Sequence, residues 1–98
     1  MSRRGFVTVT QPGAVASGVP FNLLGTAVPN GTTIEVGFDN TGQLDEPPAA
    51  LGYAAITSDV NGGWAYNGLS LTTGTWVVWV RRQAYPQVRA RSAKIVVP

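Results

Sequence analysis

The sequence predicts an all-β domain built from short antiparallel strands. Three observations point there. Twelve glycines and seven prolines fall within 98 residues, so turns are frequent and elements are short. Hydrophobic residues make up 44% of the chain and charged residues 12%, a core-forming composition with too little charge for a disordered chain. No segment shows helical spacing of apolar residues, whereas several alternate with a period of two. At this length a single domain over residues 1–98 is the expectation.

The elements follow in order. "FVTVT" (6–10) alternates and reads as the first strand, preceded and followed by an N-terminal arm that takes in residues 1–17. "GVPFNLLGTA" (18–27) sets Phe21 and Leu23 on one face of a second strand, and "PNG" (29–31) turns the chain. "TTIEVGF" (32–38) alternates cleanly, with Ile34, Val36 and Phe38 on one face and Thr33, Glu35 and Gly37 on the other. Residues 39–52, "DNTGQLDEPPAALG", form a long acidic loop, because Asp, Asn, Gly and a Pro-Pro pair all oppose regular structure. "YAAITS" (53–58) is a modest strand containing Ile56. "VNGG" (60–63) is a turn, "WAYNGL" (64–69) a strand and "TTG" (72–74) a turn. "TWVVWVRR" (75–82) carries the strongest strand signal. "AYPQ" (84–87) turns the chain into a closing strand, "VRARSAKIVV" (88–97). About seven short strands with turns between them, at roughly 8–12-residue spacing, match an immunoglobulin-like β-sandwich.

Several chemistries are removed by residue type alone. The chain has no cysteine and no histidine, so thiolate ligands, a cysteine nucleophile and the commonest general base are absent. No run approaches the ~20 apolar residues of a membrane span. The basic start "MSRRGFVTVTQPG" lacks the apolar run of a secretory signal, which points to synthesis in a cytoplasm and to no membrane partner. Net charge is +2, with all five acids in the middle of the chain and all seven bases toward its ends. A fold that gathers the ends on one side gives one basic and one acidic face, and copies then attract head to side; the alternative is that the charges simply solvate two edges of a small domain.

"LLGTAVPNGTTIEVGFD" and "AITSDVNGGWAYNGLSLTTGTWVVWVR", followed by "SAKIVV", resemble bacterial and bacteriophage Ig-like repeats of the adhesin type over residues 18–98. Shared features are a Gly-Thr-Ala, a Pro, a Gly turn before an alternating strand, an Asp-x-x-Gly turn before a Trp, and a Gly-Thr-aromatic strand opening. The resemblance implies a sandwich without catalytic activity or cofactor. Such domains serve as surface adhesin modules and as decorations on phage capsids and tails. Two departures favour a free-standing virion component. One domain stands alone after a Met rather than in a tandem array, and the 39–52 loop looks longer than the usual connection.

The candidate sites divide as follows. "SDVNGG" (58–63) offers Asp59 and Asn61 as the start of a calcium loop, but no acid follows, and an EF-hand needs about six oxygen ligands ending in a bidentate Glu. The alternative is a hairpin turn in which Asn61-Gly62 supplies positive φ angles and Asp59 caps the turn. Trp64 stands where the resembled family buries its core tryptophan; exposed beside Tyr66 it would instead be a sugar-stacking platform. In the family the aromatic after Gly-Thr points inward, so Trp76, Val78 and Val80 line the core. Val77, Trp79 and Arg81 then lie on the outer face. An outward Val-Trp pair beside an arginine suggests a protein contact, unless the long loop or the N-terminal arm covers it. Arg3, Arg4, Asp45 and Glu46 are further contact candidates. The basic edge could meet nucleic acid with Trp79 stacking on a base, but the modest excess of charge and the lack of a motif argue against a nucleic-acid partner. Asp45 and Glu46, adjacent in a loop, are a poor glycosidase pair, so the protein reads as non-enzymatic. The function expected is that of a virion structural protein, a capsid decoration bound to the major capsid protein or another virion protein, with self-association possible. The alternatives are a phage tail or neck accessory domain, or an adhesin or carbohydrate-binding module of a bacterial surface protein.

Overall fold

The computed structural model describes residues 5–98. Eight strands form: β1 (Phe6–Val9), β2 (Phe21–Val28), β3 (Thr33–Asp39), β4 (Ala54–Thr57), β5 (Gly63–Leu69), β6 (Gly74–Arg82), β7 (Arg89–Arg91) and β8 (Ile95–Val97). They make two antiparallel sheets. The first has the order β1-β2-β5. The second has the order β4-β3-β6-β7, with β8 also paired to β6. Every pairing is antiparallel. This is the strand order of an immunoglobulin-like sandwich, with the chain crossing between sheets after β2, β4 and β5.

The core lies between the sheets. Leu23, Ala27 and Trp64 of the first sheet meet Ile34, Val36, Val78 and Val80 of the second, all buried. Phe21, Phe38, Ile56 and Trp76 are half-buried and pack against this cluster. Of the ten residues expected in the core, six lie in the buried cluster and four pack against it. The rings of Phe38 and Tyr66 bridge the sheets edge to face, 5.0 Å apart. Val15 is also buried, so the segment between β1 and β2 is not a loose arm but drops one side chain into the core. Gly18 N–H ties its end to the Leu71 carbonyl at 2.9 Å.

The eighth strand arises from a bulge. Trp79 pairs with Arg91, but Trp76 pairs with Ile95, so Ser92 and Ala93 together oppose Val78. Ser92 N–H donates to the Val78 carbonyl at 2.9 Å, and Val78 N–H donates to Ser92 Oγ at 3.0 Å. The extra residue reverses the alternation. Ala90 faces the core before it, and Ile95 and Val97 face the core after it. Without the bulge, Val96 would point inward and the other two outward.

The Asp59 turn is a built one. Asp59 Oδ1 accepts from Asn61 N–H at 2.8 Å and Gly63 N–H at 2.9 Å, and Gly62 N–H donates to the Asp59 carbonyl at 3.0 Å. The positive φ falls on Gly62 alone, at 81°, and not on Asn61 as the sequence suggested. Gly62, whose N–H closes the turn onto the Asp59 carbonyl, holds its fourth position, so the positive φ falls there and Asn61 at the third is spared a strained conformation.

Candidate functional site

Two outer faces compete as the functional surface, and they are built oppositely. On the second sheet, β3 and β6 pair so that Glu35 stands beside Arg81, Gly37 beside Trp79 and Asp39 beside Val77. These side chains all point away from the core. Arg81 Nε donates to Glu35 Oε1 at 2.8 Å, and its guanidinium lies 3.7 Å from the centre of the Tyr53 ring. Arg89 flanks the other side, with its guanidinium 5.8 Å from the Trp79 ring centre.

Val77 and Trp79 do point outward, but they are not available as an exposed contact. Val77 is 0% exposed and Trp79 is 4% exposed. Their cover is the loop between β3 and β4. It leaves β3 through Asp39, whose carboxylate accepts from Thr41 N–H at 3.0 Å and from Thr41 Oγ1 at 2.7 Å. Next, the Leu44 carbonyl accepts from Arg91 Nε at 3.0 Å, which carries the loop across to β7. It returns over the sheet with Leu51 seated on Gly37, close enough that a Cβ there would stand 2.8 Å from Leu51 Cδ2. The physical reason is that an outward Val-Trp pair leaves apolar area in water, and this chain covers that area with its own loop. Trp79 Nε1 is buried with no acceptor among the described residues.

Of the other contact candidates, Arg81 is half-buried and committed to Glu35, while Asp45 and Glu46 are exposed on the loop. Arg3 and Arg4 lie outside the described residues. The charged surface on this side is therefore a plateau of both signs: Asp45 and Glu46 on the loop, Arg89 and Arg91 on the strand beside it.

The first sheet differs in every respect. Its strands contain no Asp, Glu, Lys or Arg. Its outer side shows Phe6 at 53% and Leu24 at 52% exposure, with the Asp59 carboxylate of the neighbouring turn beside Gly63. The sequence reading did not single out either residue. The available signal was that Leu24 sits on the opposite face from Leu23 in a strand whose outward positions carry no charge.

Trp64 is buried, so it offers no stacking platform. Its indole crosses β2 at Gly25, and Nε1 donates to the Thr8 carbonyl of β1 at 3.0 Å. A shallow cleft of about 440 Å³ runs along the seam where β4 and β5 diverge, lined by Leu24, Ile56, Thr57, Asp59, Trp64 and Ala65 among others. Among the described residues Asp59 is the one titratable group lining it, and its Oδ1 already serves the turn. The cleft thus lacks a second titratable group for acid–base work. Among the described residues no three His, Cys, Asp or Glu side chains lie together. No protein-family model matches the chain, and no curated protein matches it.

Proposed function

We propose that this protein is a non-enzymatic structural component of a bacteriophage virion, a decoration protein bound in many copies to the capsid shell. The observation that carries the reading is the sealed second sheet. The chain spends its longest loop on closing an aromatic face, not on lining a cavity, and leaves the acids Asp45 and Glu46 exposed beside Arg89 and Arg91. Such a surface recognises a partner by charge pattern and turns over no substrate. The major capsid protein is the proposed partner of this plateau. A modest contact suffices there, because lattice symmetry repeats it and each bound copy needs little affinity of its own.

The test is biochemical. Purified particles should carry the protein as a ~10 kDa band in stoichiometric excess over minor tail proteins. Particles stripped of it should take up the recombinant chain on co-sedimentation. Replacing Asp45 and Glu46 with lysine should weaken that uptake and change its salt dependence. Particles that lack the band and do not take up the chain would remove the reading.

A further inference from the structure

The strand edges beside the β4–β5 cleft are built unequally. Ser58 N–H donates to the Thr32 carbonyl at 2.9 Å. Ile56 and Ala54 share the parity of Ser58 and stand opposite Ile34 and Val36, so they exchange the ladder bonds with β3. The N–H and C=O groups of Ala55 and Thr57 therefore point away from β3. β4 is the last strand of its sheet, and both residues are exposed. β5 also ends its sheet, but its edge is taken at Gly63. There Asp59 N–H donates to the Gly63 carbonyl at 2.8 Å, and Gly63 N–H donates to Asp59 Oδ1 at 2.9 Å. The free row belongs to β4, and such a row is a template for another strand. The cleft of about 440 Å³ opens directly beside it. Its walls are apolar at Ile56, Trp64 and Leu24, and Asp59 stands just past the end of β4. Asp59 Oδ1 is occupied by the turn, whereas Oδ2 accepts no hydrogen bond among the described residues.

We propose that an extended segment of a partner protein adds to the second sheet along β4 and sets a basic side chain on Asp59. The backbone decides the mode of binding, and the cleft decides the sequence. Antiparallel addition is the more stable pairing. Side chains of the added strand alternate, so one opposite Ile56 enters the cleft and the next on that face, opposite Ser58, reaches Asp59. The first meets apolar walls and is apolar. The second meets an open carboxylate oxygen and is Arg or Lys. Because the two strands run in opposite directions, the basic residue precedes the apolar one with a single residue between them. That intervening residue faces Thr57 and exchanges both backbone bonds with it. Main-chain bonds supply the affinity, and the alternate side chains supply the selectivity. The Asp59 carboxylate repels an acidic segment in the same place. β4 offers only four residues, so an isolated segment binds weakly, and repetition on an assembly strengthens it. β4 and β7 lie at opposite ends of the second sheet. The charged plateau beside β7 therefore stays free, and this proposal stands or falls apart from the virion reading.

Amide NMR of the isotope-labelled full chain tests it. The probe is a capped peptide, Thr-Arg-Thr-Val-Thr-Ser, whose Arg and Val have the required order and spacing. The expected result is a saturable shift of the Ala55 and Thr57 amides with a dissociation constant of about 1 mM, together with slower exchange of both protons. Asp59→Asn keeps the Oδ1 acceptor of the turn and removes the charge, so it should weaken binding about threefold to fivefold. Two changes to the peptide leave the protein untouched and decide the matter should Asp59→Asn disturb the turn. Glu in place of Arg should abolish binding. So should N-methylation of the Thr between Arg and Val, which removes the N–H that meets the Thr57 carbonyl. Absence of a saturable shift up to roughly 5 mM peptide overturns the proposal. Shifts centred away from β4 overturn it too, as does equal binding of either altered peptide.

Discussion

Each sheet pairs a tryptophan with a glycine across neighbouring strands: Trp64 with Gly25 in the first, Trp79 with Gly37 in the second. The two pairs solve opposite problems. Trp64 faces inward. Its ring fills the space above Gly25, and its N–H reaches a backbone carbonyl two strands away. Trp79 faces outward. The space above Gly37 is filled not by the tryptophan but by Leu51, brought in by the loop. One aromatic is held by the sandwich itself. The other is held by a strap laid over the sheet and anchored to it through Asp39, Arg91 and Gly37. The same residue pair therefore marks a core contact in one sheet and a loop-covered outer contact in the other.

The largest expected effect breaks the first pair. In Gly25→Ala the new Cβ would stand 2.2 Å from the Thr8 carbonyl oxygen and 2.5 Å from Trp64 ring atoms. Backbone cannot swing aside, so about 3 kcal/mol or more of stability should be lost. Trp64→Ala should cost about 3–5 kcal/mol through the cavity left behind. Urea titration of both variants checks this, and a Gly25→Ala protein as stable as the parent would refute the packing. Ser92→Ala comes next. It strips the buried Val78 N–H of its acceptor and should cost about 1–3 kcal/mol, read as a drop in melting temperature of several degrees.

The second pair should give way more gently. In Gly37→Ala the new Cβ would stand 2.8 Å from Leu51 Cδ2, 2.9 Å from its Cγ and 3.0 Å from the Gly52 carbonyl oxygen, all on the loop, which shifts more readily than a central strand, so the expected cost is about 1–2 kcal/mol. Leu51→Ala should lie in the same range. The distinguishing readout is fluorescence. Both variants should red-shift part of the tryptophan emission and raise its quenching by acrylamide, as Trp79 meets water. Gly25→Ala should do neither until it unfolds. The smallest effect belongs to the Glu35–Arg81 pair. It is partly exposed and also rests on Tyr53, so Glu35→Gln should cost less than about 1 kcal/mol. High salt should reduce the difference further.

Much of the fold was legible in the sequence. Period-two alternation separated the two faces of 32–38 and 75–82; the apolar face of 32–38 named Ile34 and Val36, and in 75–82 the inward aromatic of the resembled family named Val78 and Val80, all four of which are in the core. The turn residues placed the strand ends, because a glycine or a Pro-Asn-Gly leaves the chain few alternatives. The closing strand was read as one piece, since a bulge is a mismatch between two strands and no single stretch shows it. Ile95 and Val97 were missed with it. Val15 was missed because one apolar residue in a loop carries no period.

The candidate site was legible only in part. Alternation together with the inward aromatic of the resembled family put Val77 and Trp79 on the outer side, yet outward is not the same as exposed. Whether water or a loop covers a side chain depends on where a segment some thirty residues away comes to rest, and periodicity holds no record of that. The exposed apolar residues of the first sheet escaped notice for a related reason. Its three strands are separated along the chain by turns and by the whole of the β3–β4 region. Each lacks charge unremarkably by itself, and only side by side do they make a surface. By itself, then, the sequence determined the class of fold, the inward residues, and the removal of thiolate and imidazole chemistry. These follow from local backbone preference and residue type. The tertiary structure alone decided which apolar side chains stay in contact with water, because that is set by long-range packing of loop on sheet and strand beside strand.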